Sequence, residues 1–166
     1  MTAAPSSLSP LVVGVDLGGT GTKFGIVDRD GNVLFSSEIS TKKHKEIGTF
    51  IEELYEQLML LINNAGGIGK IKGIGMGAPN GNYYTGTIEY APNLPWKGII
   101  PLAKLVADRF QLPVTLTNDA NAAAIGEMMY GAAKGMKYFI MITLGTGVGS
   151  GIVANGPVIY GHDGFA

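Results

Sequence analysis

The stretch VDLGGTGTKFGIVD, residues 15–28, runs from an apolar segment into a carboxylate, Asp16. Gly18, Gly19 and Gly21 follow, set around Thr20 and Thr22, with Lys23 next. A tight glycine turn lets successive backbone N–H groups converge on an anion, and nearby hydroxyls and an ammonium add donors. A carboxylate cannot hold a phosphate. It can hold Mg²⁺, directly or through water, and the ion then bridges phosphate oxygens. The same residues would also suit an ordinary glycine hairpin with a capping aspartate. The pattern is neither common phosphate fingerprint. Both of those open a helix, whereas TKFGIV reads as a strand.

A second stretch, TLGTGVGSGIV at 143–153, repeats the plan without the carboxylate: Gly145, Thr146, Gly147, Val148 and Gly149 sit between two apolar runs. Two matching hairpins point to a duplicated fold whose halves grip a polyphosphate from two sides. A third segment, TNDANAAAIGE at 117–127, puts Asn118 and Asp119 where a strand gives way to an alanine-rich helix. Asp is a favoured N-cap. The carboxyl end of a strand is also where open α/β sheets place ligands, so Asp119 is equally a candidate general base. The two roles are compatible if Asn118 caps while Asp119 faces a cleft. The alanines and Gly126 imply close packing beneath. The polar stretch GAPNGNYYTGTIEYAPNLPW, 77–96, has the composition of a binding loop. Asn80, Asn82 and Asn93 bring amides of the kind that read sugar hydroxyls. Trp96 is expected to anchor this loop. His44, within KKHKE, is expected on a solvated face, and His162 has no partner in view.

The elements that must carry these residues follow from periodicity. Apolar runs at 11–16, 23–28 and 33–40 read as a three-strand meander, with DRDGN as a turn. Phe50, Ile51, Leu54, Leu58 and Leu61 recur at helical spacing within 47–64, and NNAGG ends that helix. Strands at 71–79 and 113–117, a helix at 99–110, a helix at 118–133 and two strands around GTGVG complete the chain. A meander followed by alternating helix and strand is an α/β domain with a mixed sheet whose second half is parallel. The expected organisation is a disordered lead at 1–10, an N-terminal domain at 11–118, and a connecting helix with the start of a second domain at 119–166.

Bulk properties exclude several classes. Twelve basic and 13 acidic residues give a net charge of −1, with no basic stripe to neutralise nucleic-acid phosphates. No apolar run is long enough to span a bilayer, and MTAAPSSLSP lacks the basic start and apolar core of a secretory signal. The chain has no cysteine, so it forms no disulfide and no thiolate metal site. A cytoplasmic protein is the default expectation. The 26 glycines sit in turns between apolar strands, where backbones approach a ligand or each other.

Together these motifs resemble the ROK family of sugar kinases and related repressors, within the actin-like ATPase superfamily. The resemblance runs from about Leu11 to Ala166. It implies an actin-like ATPase (ribonuclease H-like) domain and ATP-dependent phosphorylation of a hexose, with glucose the first choice. Fructose, mannose or an N-acetylhexosamine kinase, or a non-catalytic sugar sensor, are the alternatives. By the resemblance Asp119 is the base. Asn118, Gly77, Ala78 and Asn93 lie on the sugar side. Asp16, Gly18 to Lys23 and Gly145 to Gly149 hold the ATP phosphates, with Asp16 placing Mg²⁺. Family members continue past GHDGFA into further sugar ligands, often with a structural zinc segment, so the chain reads as a fragment that is inactive alone. The ten residues ahead of Leu11 leave no room for the winged helix of the repressor branch, which favours a kinase. The expected partners are a hexose, ATP and a second copy of the chain.

Overall fold

A computed structural model describes residues 10–144 and 147–165. Along the chain lie β1 (Leu11–Leu17), β2 (Gly21–Val27), β3 (Val33–Ser40), α1 (Ile47–Asn64), β4 (Ile71–Ala78), β5 (Gly81–Asn82) and β6 (Thr87–Glu89). Then come β7 (Ile99–Ile100), α2 (Leu102–Phe110), β8 (Val114–Asn118), α3 (Asp119–Tyr130), β9 (Tyr138–Leu144) and β10 (Val148–Ala154). The main sheet has the order β3-β2-β1-β4-β8. The first three strands are antiparallel neighbours, and β1, β4 and β8 run parallel. This is the mixed α/β sheet expected from the order of elements.

Alternation along β1 turns Leu11, Val13, Val15 and Leu17 into the core and leaves Asp16 exposed. On that core face lie Phe50, Leu54, Leu58 and Ile62 of α1 and Leu102, Val106 and Phe110 of α2. Burying such apolar side chains stabilises by about 1.5–3 kcal/mol each. Residues 80–97, read as a loop with short extended pieces, close with Ile99–Ile100 into a small sheet of order β5-β6-β7, and the helix expected from residue 99 begins at Leu102. Trp96 anchors the segment as expected. It is 6% exposed, packs on Phe50 with ring centroids 4.8 Å apart, and donates from Nε1 to the His44 carbonyl at 3.1 Å.

His44 departs from expectation. Its ring is buried, with Nδ1 3.1 Å from Thr49 Oγ1 and Nε2 beside the Glu53 carboxylate. The charged run around it is solvated, but this one side chain turns inward, its ring edge-on to Phe50 with centroids 5.9 Å apart. Lys43, which donates to Glu53, holds that carboxyl below the usual glutamate range, and His44 adds to the effect.

Helix α3 is shared between two sheets. At Gly77, on β4, a Cβ would sit 3.0 Å from the Ala122 methyl. At Gly151, on β10, it would lie 2.6 Å from the Ala124 methyl and 2.7 Å from the Ala120 carbonyl. The alanines therefore mark close packing, as the sequence implied. Gly126 does not: it is exposed and a Cβ there meets nothing within 4 Å. At the far end of α3, the Tyr130 hydroxyl donates to the Arg29 carbonyl at 3.2 Å in the β2–β3 turn. Among the described residues no helix is long and apolar enough to cross a membrane.

These contacts give a paired prediction. Gly151→Ala lowers stability by about 1–3 kcal/mol, because backbone and a short methyl cannot yield. Gly126→Ala raises it by about 0.5–1 kcal/mol, the helix-propensity difference in open space. Urea unfolding of both variants checks the pair.

Candidate active site

Parallel β1, β4 and β8 end at one edge of the main sheet, and their carboxyl ends carry Asp16, Gly77–Ala78 and Asn118. Asp16 pairs in register with Gly77, and Ala78 with Asn118. At the end of β8 the chain turns directly into α3. Asn118 Oδ1 accepts from the Asn121 N–H at 2.6 Å and is the cap of the helix. Asp119 is exposed, and its Oδ1 accepts from the Ala120 N–H at 2.9 Å. Asn118 thus satisfies an orphan N–H of the first turn, which leaves Asp119 facing outward with the positive end of the helix behind it.

Asn118 and Asp119 open into a cleft of about 710 Å³. Its walls come from three parts of the chain. Pro79, Asn80, Pro92 and Asn93 form one side, and Thr143 with Gly147, Val148, Gly149 and Ser150 of the β9–β10 hairpin form another. Phe165 also lines it. The structure therefore brings Asn93, Asn118, Asp119 and the described part of the second glycine hairpin into one cavity. Gly145 and Thr146, expected at the tip of that hairpin, lie outside the described residues.

The first glycine hairpin sits beside this cleft without lining it. The Gly18 N–H donates to the Gly21 carbonyl at 3.0 Å, closing the turn from within. A Cβ at Gly19 would come 2.5 Å from the Asn93 carbonyl, so only glycine lets the turn rest on the Asn93 segment. Thr20 is exposed, and its carbonyl accepts from the Thr41 N–H. Asp16 and Lys23 are exposed cross-strand partners. They line a second concavity, a trough of about 940 Å³ on the open face of the sheet, along with Gly77 and Thr117. The trough is the larger of the two, but its walls are mostly apolar strand residues such as Val27 and Val33. The polar groups that could act on a substrate converge in the smaller cleft.

Three expected ligands are placed elsewhere. Thr22 is fully buried and its hydroxyl lies 2.8 Å from that of Thr41, so it is not available to a phosphate. It sits on the inward side of the β2 alternation. Ala78 has no exposed surface, because β4 runs between β1 and β8 there. The next two residues, Pro79 and Asn80, reach the cleft instead. Asn82 is buried and its amide is fully engaged: Nδ2 donates to Glu89 and to the Asp163 carbonyl, and Oδ1 accepts from the Tyr84 and Thr85 N–H groups. Sequence reasoning passed over Thr143, Ser150 and Phe165. The first two share the apolar β9–β10 pattern, and the third reaches the cleft from a loop with no local signal.

The ROK family pattern matches residues 12–166. The chain belongs to the ROK family. Among its relatives, a glucokinase of Halalkalibacterium halodurans is 40% identical over 156 residues, which cover 93% of this chain and 47% of that protein. A xylose repressor of Caldicellulosiruptor bescii is 31% identical over 157 residues, covering 93% of this chain and 39% of the repressor. The crystal structure of a ROK family glucokinase from Streptomyces griseus, in complex with glucose and AMPPNP, superposes with a TM-score of 0.81 at 34% identity. It covers 94% of this chain and 48% of that one. This ROK chain therefore spans about half the length of the relatives it matches, and its mixed five-strand sheet is the family's α/β fold.

The cap at Asn118 is testable in this ROK chain directly. Asn118→Ala lowers stability by about 1 kcal/mol through loss of the bond to the Asn121 N–H. Asp119→Asn, which keeps the cap, changes stability by less than about 1 kcal/mol. Thermal unfolding of the two variants separates a capping residue from one whose carboxylate the fold does not need.

Proposed function

We propose that this chain is the part of an ATP-dependent hexose kinase that supplies the catalytic base and both phosphate hairpins, with glucose as the acceptor. The observation that carries the reading is the convergence of Asp119, Asn118, Asn93 and the second glycine hairpin on one cleft. The Streptomyces griseus structure supports it, since that protein was crystallised with glucose and an ATP analogue.

In this reading Asn93 and Asn118 hold sugar hydroxyls through their amides, and Asp119 accepts a hydrogen bond from the reacting hydroxyl. The hydroxyl oxygen attacks the terminal phosphorus of ATP, the bond to the bridging oxygen breaks, and ADP leaves. The hydroxyl proton passes to the Asp119 carboxylate. Phosphoryl transfer has a loose transition state, so alignment and charge neutralisation contribute most of the acceleration. A carboxylate is sufficient, because the hydroxyl becomes acidic late. The exposed Asp16 offers carboxylate oxygens of the kind Mg²⁺ takes, and the ion, with the Lys23 ammonium opposite, would neutralise phosphate charge at the first hairpin. The glycine turn resting on Asn93 connects that hairpin to the sugar side.

The xylose repressor's similarity favours a second reading, sugar sensing without turnover. Sugar-dependent ADP release separates the two, measured in a protein that carries this segment with the remaining half of the family's length. In that protein Asp119→Asn cuts kcat by about 10²–10⁴, the usual worth of a general base, while sugar binding persists. Near-parental kcat in this variant would leave Asp119 as a helix-terminal charge only. Asp16→Ala raises KM for Mg-ATP and leaves KM for glucose near the parental value. A rise for glucose alone would move the first hairpin to the sugar side.

A further inference from the structure

The segment that ends the described chain is held down at successive residues. The Tyr160 ring stacks on Tyr83 with centroids 4.0 Å apart and planes 7° from parallel. The Tyr84 hydroxyl donates to the Gly161 carbonyl at 3.2 Å. Asn82 Nδ2 donates to the Asp163 carbonyl at 2.9 Å. Gly164 is buried with φ +85°, and a Cβ there would lie 2.5 Å from Asn82 Oδ1. Four anchors in five residues, all set by the β5 segment and the turn after it, fix the direction in which the chain leaves. The residue so delivered is Phe165, 44% exposed, and it lines the cleft.

Phe165 is the one aromatic ring among the cleft-lining residues. It stands in a cavity whose other groups include the amides Asn80, Asn93 and Asn118 and the carboxylate Asp119. That combination matches the two-sided chemistry of a pyranose. Hydroxyls project around the rim and meet amides and carboxylates. The C–H groups of one ring face are apolar and slightly positive, and they meet the negative face of an aromatic quadrupole. An acyclic polyol has the same hydroxyls but no such face.

Resting on the hexose reading above, we propose that Phe165 is the ring-recognition wall of the acceptor site, and that Asn82 with the Tyr83–Tyr160 stack are the positioning residues that present it. Asn82, expected to read sugar hydroxyls itself, acts at one remove, through the loop it ties.

Glucose and sorbitol titrations of a protein that carries this chain with the remaining half of the family's length, followed by amide chemical shifts, test the proposal. The parent prefers glucose to sorbitol. Phe165→Leu, which keeps an apolar side chain but removes the ring, weakens glucose binding about 3- to 10-fold and leaves sorbitol unchanged. Phe165→Trp keeps the glucose preference. Asn82→Ala loses it while the shifts of the main sheet stay parental. Glucose binding that survives in Phe165→Leu, or equal losses for glucose and sorbitol, overturns the wall and leaves the hexose reading standing. A parent protein whose shifts respond to neither sugar overturns the hexose reading itself, and the wall with it.

Discussion

Helix α3 lies against two sheets at once, and only the smallest side chains permit it. The Ala122 methyl meets β4 at Gly77, while Ala120 and Ala124 meet β10 at Gly149 and Gly151. A larger residue at any of these positions would push one sheet away from the helix, because close-packed interiors transmit a change of a single methyl. The consequence is geometric. The amino end of α3, where Asn118 and Asp119 sit, shares one cleft with the β9–β10 hairpin. The cleft exists because a helix of alanines holds two sheets at backbone distance.

The rest of the site hangs from this junction. The β1–β2 turn approaches it from the side, resting its Gly19 on the Asn93 carbonyl. The segment after β10 crosses back to the β5 strand and is tied there by Asn82 and three tyrosines. Each link joins residues far apart in sequence: Asn93 to Gly19, Asn82 to Asp163, Tyr130 to Arg29. The wide trough on the other side of the glycine turn takes Asp16 and Lys23 along its edge. The charges of the first hairpin and the Asp119 carboxylate thus line separate concavities, with the glycine turn resting on the Asn93 segment.

The fold was legible where local pattern and packing agree. The alternation of β1, the helical spacing of α1 and the glycine turns between strands each fixed an element and its inward face. A helix cap at 118–119 was legible from an Asx pair before an alanine run, and the structure gives it to Asn118. What stayed hidden depended on contacts between distant segments. Thr22 and Thr20 are alike in sequence, but Thr22 lies on the inward face of β2 against Thr41, while Thr20 sits in the turn ahead of that strand and is exposed. His44 sits in a charged run, but its ring turns inward onto Thr49 and Glu53 of α1, and its backbone carbonyl is held by Trp96, more than fifty residues on. Asn82 and Asn93 are equally polar, yet the first is consumed by Asp163, Glu89 and its own turn while the second remains exposed. Gly126 looked like a packing glycine by composition, and its side of α3 faces open space.

The account turns on Asp119 facing a sugar hydroxyl across this cleft. A crystal structure of a protein containing this segment, bound to glucose and a non-hydrolysable ATP analogue, addresses that geometry most directly. The account predicts one glucose hydroxyl within about 2.6–3.2 Å of the Asp119 carboxylate, pointing at a terminal phosphate held by the glycine hairpins. A glucose bound away from Asp119, or a carboxylate turned back onto the amino end of α3 with the sugar in place, would contradict it.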